Sequence, residues 1–269
     1  MKNVAGKVAL VTGAAMGMGK LVAFRFARDG ARVVLWDLNK AELDKTIDEL
    51  KKAGADAKGY IVDVTKVGAV KEAAEKVRRE VGPVDVLVNN AGVVAGGNFL
   101  DVPIEKHIWV IDVNVNAVML CTHVFLPDMI SKKQGHIVNM ASAAGLIGVA
   151  KLTSYCASKF AVVGFTEALR MELRKMQLKE IYTTTVCPSF VKTGMFEGVK
   201  APFMTPLLEP QEMADKIYNG MRKNKIMVKE PLMVKYTPLM KALSHPNSFA
   251  WIGEITGVQG AMEHWTGRK

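Results

Sequence analysis

Short runs of β-branched and apolar residues alternate with longer amphipathic stretches along most of this chain, and no other feature narrows its fold as far. Residues 8–11, 32–36, 60–62, 84–88, 136–140 and 183–187 read as strands, with 226–228 as a short seventh. Between them lie helical patterns over 17–29, 39–53, 66–81, 103–131 and 154–176, three of them closed by Gly30, Gly54 and Gly82-Pro83. Strands buried on both faces read as unbroken apolar runs, and helical crossovers join parallel neighbours. The pattern therefore predicts one α/β domain over 1–269, a doubly wound parallel sheet of about seven strands with helices on both faces. No linker divides the chain and no repeat recurs. Residues 194–209, rich in Pro, Phe and Met, read as a loop or short helix, followed later by a basic segment over 222–269.

The turn after the first strand, Thr12-Gly13-Ala14-Ala15-Met16-Gly17-Met18-Gly19, runs straight into a helix. Gly13 permits a tight turn, and small residues let backbone approach a pyrophosphate. Gly17 and Gly19 allow the helix to pack close, and its N-terminus offers free N–H groups and positive potential. The spacing is GxxxGxG rather than GxGxxG, so the general dinucleotide fingerprint is not strictly met. An acid, Asp37, stands 24 residues beyond Gly13 at the end of the second strand. A carboxylate there accepts both ribose hydroxyls and repels a 2′-phosphate, which favours NAD over NADP. Capping of the following helix is the alternative role for Asp37.

Tyr155 and Lys159 are four residues apart and share a helix face. A tyrosine is a poor base at neutral pH, but an ammonium and an oxidised nicotinamide beside it stabilise the phenolate. Tyr155 can then remove an alcohol proton as hydride leaves, and Ser142 can hold the substrate oxygen. Taken singly, a Tyr-x-x-x-Lys pair is an amphipathic face, and a serine after a strand is a helix cap.

Together, the glycine turn, Asn89-Asn90-Ala91-Gly92, Ser142 and Tyr155-Cys156-Ala157-Ser158-Lys159 resemble the short-chain dehydrogenase/reductase family in its smaller, single-domain form, over about residues 5–193. The resemblance implies Asn114 as the residue holding a water linked to Lys159, and Lys159 as a ligand of the cofactor ribose. It implies cofactor contacts at Gly13, Ala15, Met16, Gly17, Met18, Gly19, Asp37 and Leu38. Asp63 and Val64 would meet the adenine. Asn89, Asn90, Ala91, Gly92 and Val113 would line the cofactor, with Tyr155 and Lys159 beside the ring. Pro188, Phe190, Val191 and Thr193 match the segment that cradles the carboxamide, although Ser189 stands where the family has glycine.

Segments such as Leu35-Trp36-Asp37-Leu38-Asn39-Lys40 and Cys187-Pro188-Ser189-Phe190 look like the branch holding 17-beta-hydroxysteroid dehydrogenase type 11 and the epidermal retinol dehydrogenases. That likeness implies interconversion of a hydrophobic secondary or allylic alcohol and its carbonyl, of steroid, retinoid or long-chain type. Those relatives reach membranes or lipid droplets through an apolar N-terminal segment, which is not expected here. Ala143, Ala144, Leu146, Leu152, Phe190, Met195, Phe196, Phe203 and Met204 would line an apolar substrate pocket, with Ser189 at its edge and residues 194–209 as a lid. The alternatives are a non-catalytic NAD(H)-binding sensor or scaffold, and a reductase of small cyclic or aliphatic ketones.

Composition limits the other classes. With 36 basic and 26 acidic side chains the formal charge is +10, and Arg222, Lys223, Lys225, Lys229, Lys235 and Lys241 face only Glu230 in their stretch. No nucleic-acid motif accompanies them, so a solvated basic face is expected, with peripheral contact to anionic lipid as the second reading. Met233, Tyr236, Leu239, Met240 and Leu243 form a helical apolar stripe there, expected against the core or a second subunit. No run of 18 apolar residues is present. The five histidines lack metal-ligand spacing, and the three cysteines are scattered, so no metal and a cytoplasmic setting are expected. The family implies a homotetramer or homodimer built on the two long helices.

Overall fold

Val8–Thr12, the first apolar run, is buried at every position and forms β1. Its alternate residues serve two cores. Ala9 and Val11 point into one, Val8 and Leu10 into the other. The computed structural model describes residues 3–203 and 205–267, so Met204 lies outside the described residues. Strands β2 (Arg32–Asp37), β3 (Ala57–Ile61), β4 (Val86–Asn89), β5 (Gly135–Met140), β6 (Ile181–Pro188) and β7 (Met227–Glu230) join β1 in one parallel sheet ordered β3-β2-β1-β4-β5-β6-β7. The chain order reverses between β1 and β4, and a crevice opens there beyond the strands' carboxyl ends.

Helices α1 (Gly17–Arg28) and α2 (Lys40–Lys52) cover one face, with the later helix Pro210–Arg222 beside them. The other face carries α3 (Val67–Glu80), a long central helix, and the helix Thr153–Lys175. Trp36 and Phe125 meet in this second core with ring centroids 5.5 Å apart. Asn39 caps α2 by accepting from the Glu42 amide, as its position before a charged helix predicts.

Several boundaries differ from the sequence reading. The third strand starts at Ala57 because pairing with β2 from Val33 onward recruits Ala57, Lys58 and Gly59, residues with little strand preference of their own. The fourth starts at Val86, where its ladder with Ala9 begins. The central helix is divided: α4 (Ile104–Ile111) and α5 (Ala117–Ser131) are joined by a π-helical turn, Asp112–Asn116. By length and composition the span Ile104–Ser131 would pass for a membrane-crossing helix, although it holds no unbroken apolar run. Here α5 packs against α3, β4 and β5.

After α6 (Thr153–Lys175) and α7 (Pro210–Arg222) come α8 (Leu232–Leu243) and α9 (Pro246–Ile255). The apolar stripe of α8 does not face the core as a unit. Tyr236, Leu239 and Leu243 are exposed, while Met233 and Met240 are half-buried beside buried Val234. The basic residues lie at the surface, and several have partners there. Arg222 pairs with Asp29 at 3.2 Å, Lys235 with Glu230 at 3.8 Å, and the Lys241 ammonium stands 4.9 Å over the Phe160 ring.

Candidate active site

A cleft of about 700 Å³ lies at the carboxyl ends of the strands. Its floor is the glycine turn. Gly13 has φ +63°, and a Cβ there would come within 2.8 Å of Ala91 Cα. Gly19 is packed so closely that a Cβ would meet the Gly13 carbonyl oxygen at 2.2 Å. Asn90 ties the turn from the far side, donating through Nδ2 to the Thr12 and Gly13 carbonyls at 2.9 Å each. These contacts bring backbone, not side chains, to the cleft surface. Met16, Gly17 and Met18 line it at the N-terminus of α1, whose first turn carries no acid. The amides of a helix N-terminus and a glycine-lined approach suit the pyrophosphate of a dinucleotide.

Asp37 closes this end. Its Oδ2 accepts from the Ala15 amide at 2.9 Å and its Oδ1 from the Asn39 amide at 3.0 Å. Since Asn39 caps α2, Asp37 is not the helix cap; it clamps the glycine turn to the end of β2 and lines the cleft. A carboxylate oxygen has more than one lone pair, so acceptor capacity remains for ribose hydroxyls. Leu38, Asp63, Val64, Asn90, Ala91, Gly92 and Val113 line the same stretch. Asp63 Oδ1 also accepts from the Thr65 amide and hydroxyl.

Four expected cofactor contacts do not line the cleft. Ala15 is fully buried, its amide given to Asp37 and its carbonyl taken by Thr46 Oγ1 at 2.7 Å. Gly19 lies beneath the turn. Phe190 packs edge-on against Phe196, with centroids 5.1 Å apart. Asn89 is buried, donating to Thr122 and Asn139 below the floor.

At the other end Ser142, Tyr155 and Lys159 converge on the cleft. Ser142 starts a short 3-10 turn. Its hydroxyl accepts from the Ala144 amide at 3.1 Å, so it is a cap as well as a lining residue. The Lys159 ammonium donates to the Met140 carbonyl at 2.8 Å and stands 5.5 Å from the Tyr155 ring centroid. Burial pushes the Tyr155 phenol well above its ordinary range, against a hydrogen bond with Ser142 that lowers it. Burial brings the Lys159 ammonium down to about 8. Both groups are therefore poised to respond to any positive charge brought into the cleft.

Asn114 lies behind this pair and is wholly buried. The π-helical turn aims its amide: Oδ1 accepts from the Val93 amide at 2.8 Å, while Nδ2 donates to the Val93 carbonyl at 2.9 Å and to Ser158 Oγ at 3.0 Å. Gly92 separates it from Lys159. A Cβ on Gly92 would sit 3.3 Å from Asn114 Oδ1 and 3.6 Å from Lys159 Nζ.

Pro188, Ser189, Val191, Thr193, Met195 and Phe196 form the wall opposite. The other expected substrate residues fall elsewhere. Ala144 and Leu152 are buried in a cluster capped by Ala261 and Met262 of the C-terminal segment. Leu146 packs against Val118, Ala141, Val162 and Cys187. Ala143 is half-buried in the 3-10 turn, and Phe203 is 71% exposed away from the cleft. Conversely, Glu105, Ile108, Trp109 and Asp112 line the cleft from α4 and the π-turn. Their i, i+3, i+4, i+7 spacing marks one helix face, the signal that would have found them.

A glycine turn under a helix N-terminus, an acid at the end of β2, and serine, tyrosine and lysine converging at the far end define the architecture of a nucleotide-dependent dehydrogenase. The chain belongs to the short chain dehydrogenase family, whose sequence profile matches residues 7–202. It is 41% identical to epidermal retinol dehydrogenase 2 of Mus musculus, over 100% of this chain and 88% of that protein. It is 38% identical to estradiol 17-beta-dehydrogenase 11 of Macaca fascicularis, over 90% of this chain and 80% of that protein. Among solved structures, a short chain dehydrogenase/reductase from Burkholderia phymatum in complex with NAD superposes with a TM-score of 0.83 at 30% identity, covering 91% of this chain and 98% of that one.

Proposed function

We propose that this protein is an NAD-dependent oxidoreductase that interconverts a hydrophobic secondary or allylic alcohol and its carbonyl. The observation that carries the reading is the convergence of Ser142, Tyr155 and Lys159 on one cleft whose wall is Met195 and Phe196, with Asp37 at its other end. When bound, NAD supplies a hydride acceptor and a positively charged ring. The remaining work falls to the chain. Ser142 Oγ holds the substrate oxygen, and Tyr155 Oη takes the hydroxyl proton in oxidation and returns it in reduction. The Lys159 ammonium, held by the Met140 carbonyl, favours the phenolate by its charge and reaches the nicotinamide ribose. Asn114, backed by Val93 and Ser158, holds the water through which Lys159 exchanges its proton. Asp37 binds the adenosine ribose and disfavours NADP.

The names of the two curated relatives support a retinoid- or steroid-like substrate, and the wall supports an apolar one: among the described residues, the wall of Pro188, Ser189, Val191, Thr193, Met195 and Phe196 carries no basic side chain. The test is NADH fluorescence during incubation with a 17β-hydroxysteroid, retinol, a long-chain 2-alkanol, cyclohexanol and a sugar, each with NAD and with NADP. Turnover of the apolar alcohols with NAD is expected. Silence across the panel with intact NADH binding overturns the reading in favour of a non-catalytic sensor.

We also infer a homotetramer or homodimer through the central and following long helices. Ile104, Ile108 and Met119 on α4 and α5, Phe160 and Met171 on α6, and Met176 just past its end are exposed in the single chain. A monomeric mass by light scattering at micromolar concentration overturns this.

A further inference from the structure

The chain beyond α9 turns back over the apolar end of the cleft and bonds to the loops that border it. Gln259 pairs both ways with the loop before α6, accepting from the Ala150 amide at 2.9 Å and donating to the Gly148 carbonyl at 3.3 Å. Trp265 donates its indole N–H to the Met195 carbonyl at 3.0 Å. Its ring lies on Gly96, in the loop after β4, where a Cβ would come within 2.7 Å of it. The Thr266 amide donates to the Glu197 carbonyl at 3.0 Å, and the Lys200 amide to the Ala261 carbonyl at 3.1 Å. Residues 256–266 thus tie together the loops before α6 and after β4 and β6.

What they hold in place is the substrate wall. Met195 and Phe196 line the cleft, and the Phe196 ring meets the Tyr155 ring edge-on with centroids 5.8 Å apart. Among the described residues, 194–203 and 205–209 carry no helix, and they join the sheet region through the isolated Val191–Leu208 bridge. A segment with so few backbone bonds of its own opens readily unless something outside it fixes it. Here the fixing groups are Trp265 and its neighbours, some 70 residues later in the chain.

We propose that Trp265 is the positioning residue for Met195 and Phe196, and Gln259 the positioning residue for the loop leading to Tyr155. The proposal rests on the alcohol dehydrogenase reading above and deepens it. Neither residue lines the cleft; each holds a wall at a distance that admits some apolar alcohols and rejects others. Loosening the wall changes the fit of the bulky part of the substrate, while the Tyr155–Lys159 pair and the dinucleotide floor keep their own supports.

The test compares wild type with Trp265→Phe, which keeps an aromatic ring and loses the N–H, Trp265→Ala, and Gln259→Ala. Kinetics are measured across apolar alcohols of increasing size, with NADH affinity measured by fluorescence and backbone hydrogen exchange followed over 145–152 and 194–203 without substrate. Loss of one hydrogen bond predicts a rise in KM for the bulkiest alcohol of about threefold to tenfold in Trp265→Phe, with kcat and NADH affinity changed less than about twofold. Trp265→Ala flattens the size preference further, and exchange speeds up at 195–200. Gln259→Ala speeds exchange at 148–151. An equal loss for small and large alcohols, or a matching loss of NADH affinity, overturns the proposal, as does unchanged exchange at both loops. Wild type that binds NADH and turns over none of the alcohols refutes the reaction, while the exchange results still decide whether Trp265 holds the wall. If Trp265→Ala fails to fold, the Phe and Gln259 variants carry the same comparison.

Discussion

The Lys159 ammonium donates to the Met140 carbonyl at 2.8 Å, a bond that ties α6 to the end of β5 across 19 residues of sequence. It holds a cation in a buried place, where its pKa falls from 10.5 to about 8. A base whose folded pKa lies below its unfolded one costs stability fully below the folded value. The cost is relieved between pH 8 and 10.5, where the unfolded chain still binds the proton that the fold has released. The Tm of Lys159→Met minus that of wild type, measured without nucleotide, therefore falls as pH rises through this window. A pH-independent difference contradicts the burial of the charge.

Tyr155→Phe removes the proposed proton acceptor and leaves the ring, with its edge-on contact to Phe196, in place. Turnover falls by about 10²–10⁴-fold, the usual contribution of a positioned acid–base group. NADH binding stays nearly unchanged. Parallel loss of both, in stopped-flow and fluorescence titration, contradicts the assigned role.

Asp37→Ala has two effects that separate by method. Selectivity for NAD over NADP drops by about tenfold to a hundredfold, the scale of lost charge-assisted hydrogen bonds. The amides of Ala15 and Asn39 lose their acceptor as well, so Tm falls in the absence of any nucleotide. Unchanged selectivity would mean that the discrimination resides in other residues.

Asn114→Ala leaves the Val93 amide and carbonyl without their side-chain partner in a buried place. Destabilisation of about 2–4 kcal/mol is expected from two backbone groups left unpaired. Chemical denaturation at equilibrium measures it; a change below about 0.5 kcal/mol would mean that the π-helical turn does not depend on this amide.

His136 is buried in β5 against Thr184 Oγ1 at 2.8 Å, and burial lowers its pKa from 6.5 to about 3. It stays neutral in the fold while the unfolded chain takes up a proton, so stability is lost as pH falls from 6.5 toward 3. His136→Gln flattens that acid limb relative to wild type in urea titrations at pH 4 and pH 7. An unchanged limb assigns acid sensitivity to other groups.

The sheet, and the shared helix face of Tyr155 and Lys159, were legible in the sequence for local reasons. The buried strands are unbroken apolar runs, Asn39 caps its helix through its own side chain, and Tyr155 and Lys159 share a face because four residues make about one helical turn. The π-helical turn at Asp112–Asn116 left no mark in the pattern, since it goes with the distant pairing of Asn114 with Val93 and Ser158. The same limit explains why some of the expected substrate residues do not line the cleft. Ala144 and Leu152 are apolar and close in sequence to Ser142 and Tyr155, which any pocket lining would be. Both are buried in one cluster with Ala261 and Met262, more than a hundred residues later in the chain. Local sequence determines periodicity, caps and which residue types sit near the chemistry. Tertiary packing decides which of those side chains remain uncovered, because burial depends on contacts with segments whose distance along the chain local pattern cannot register.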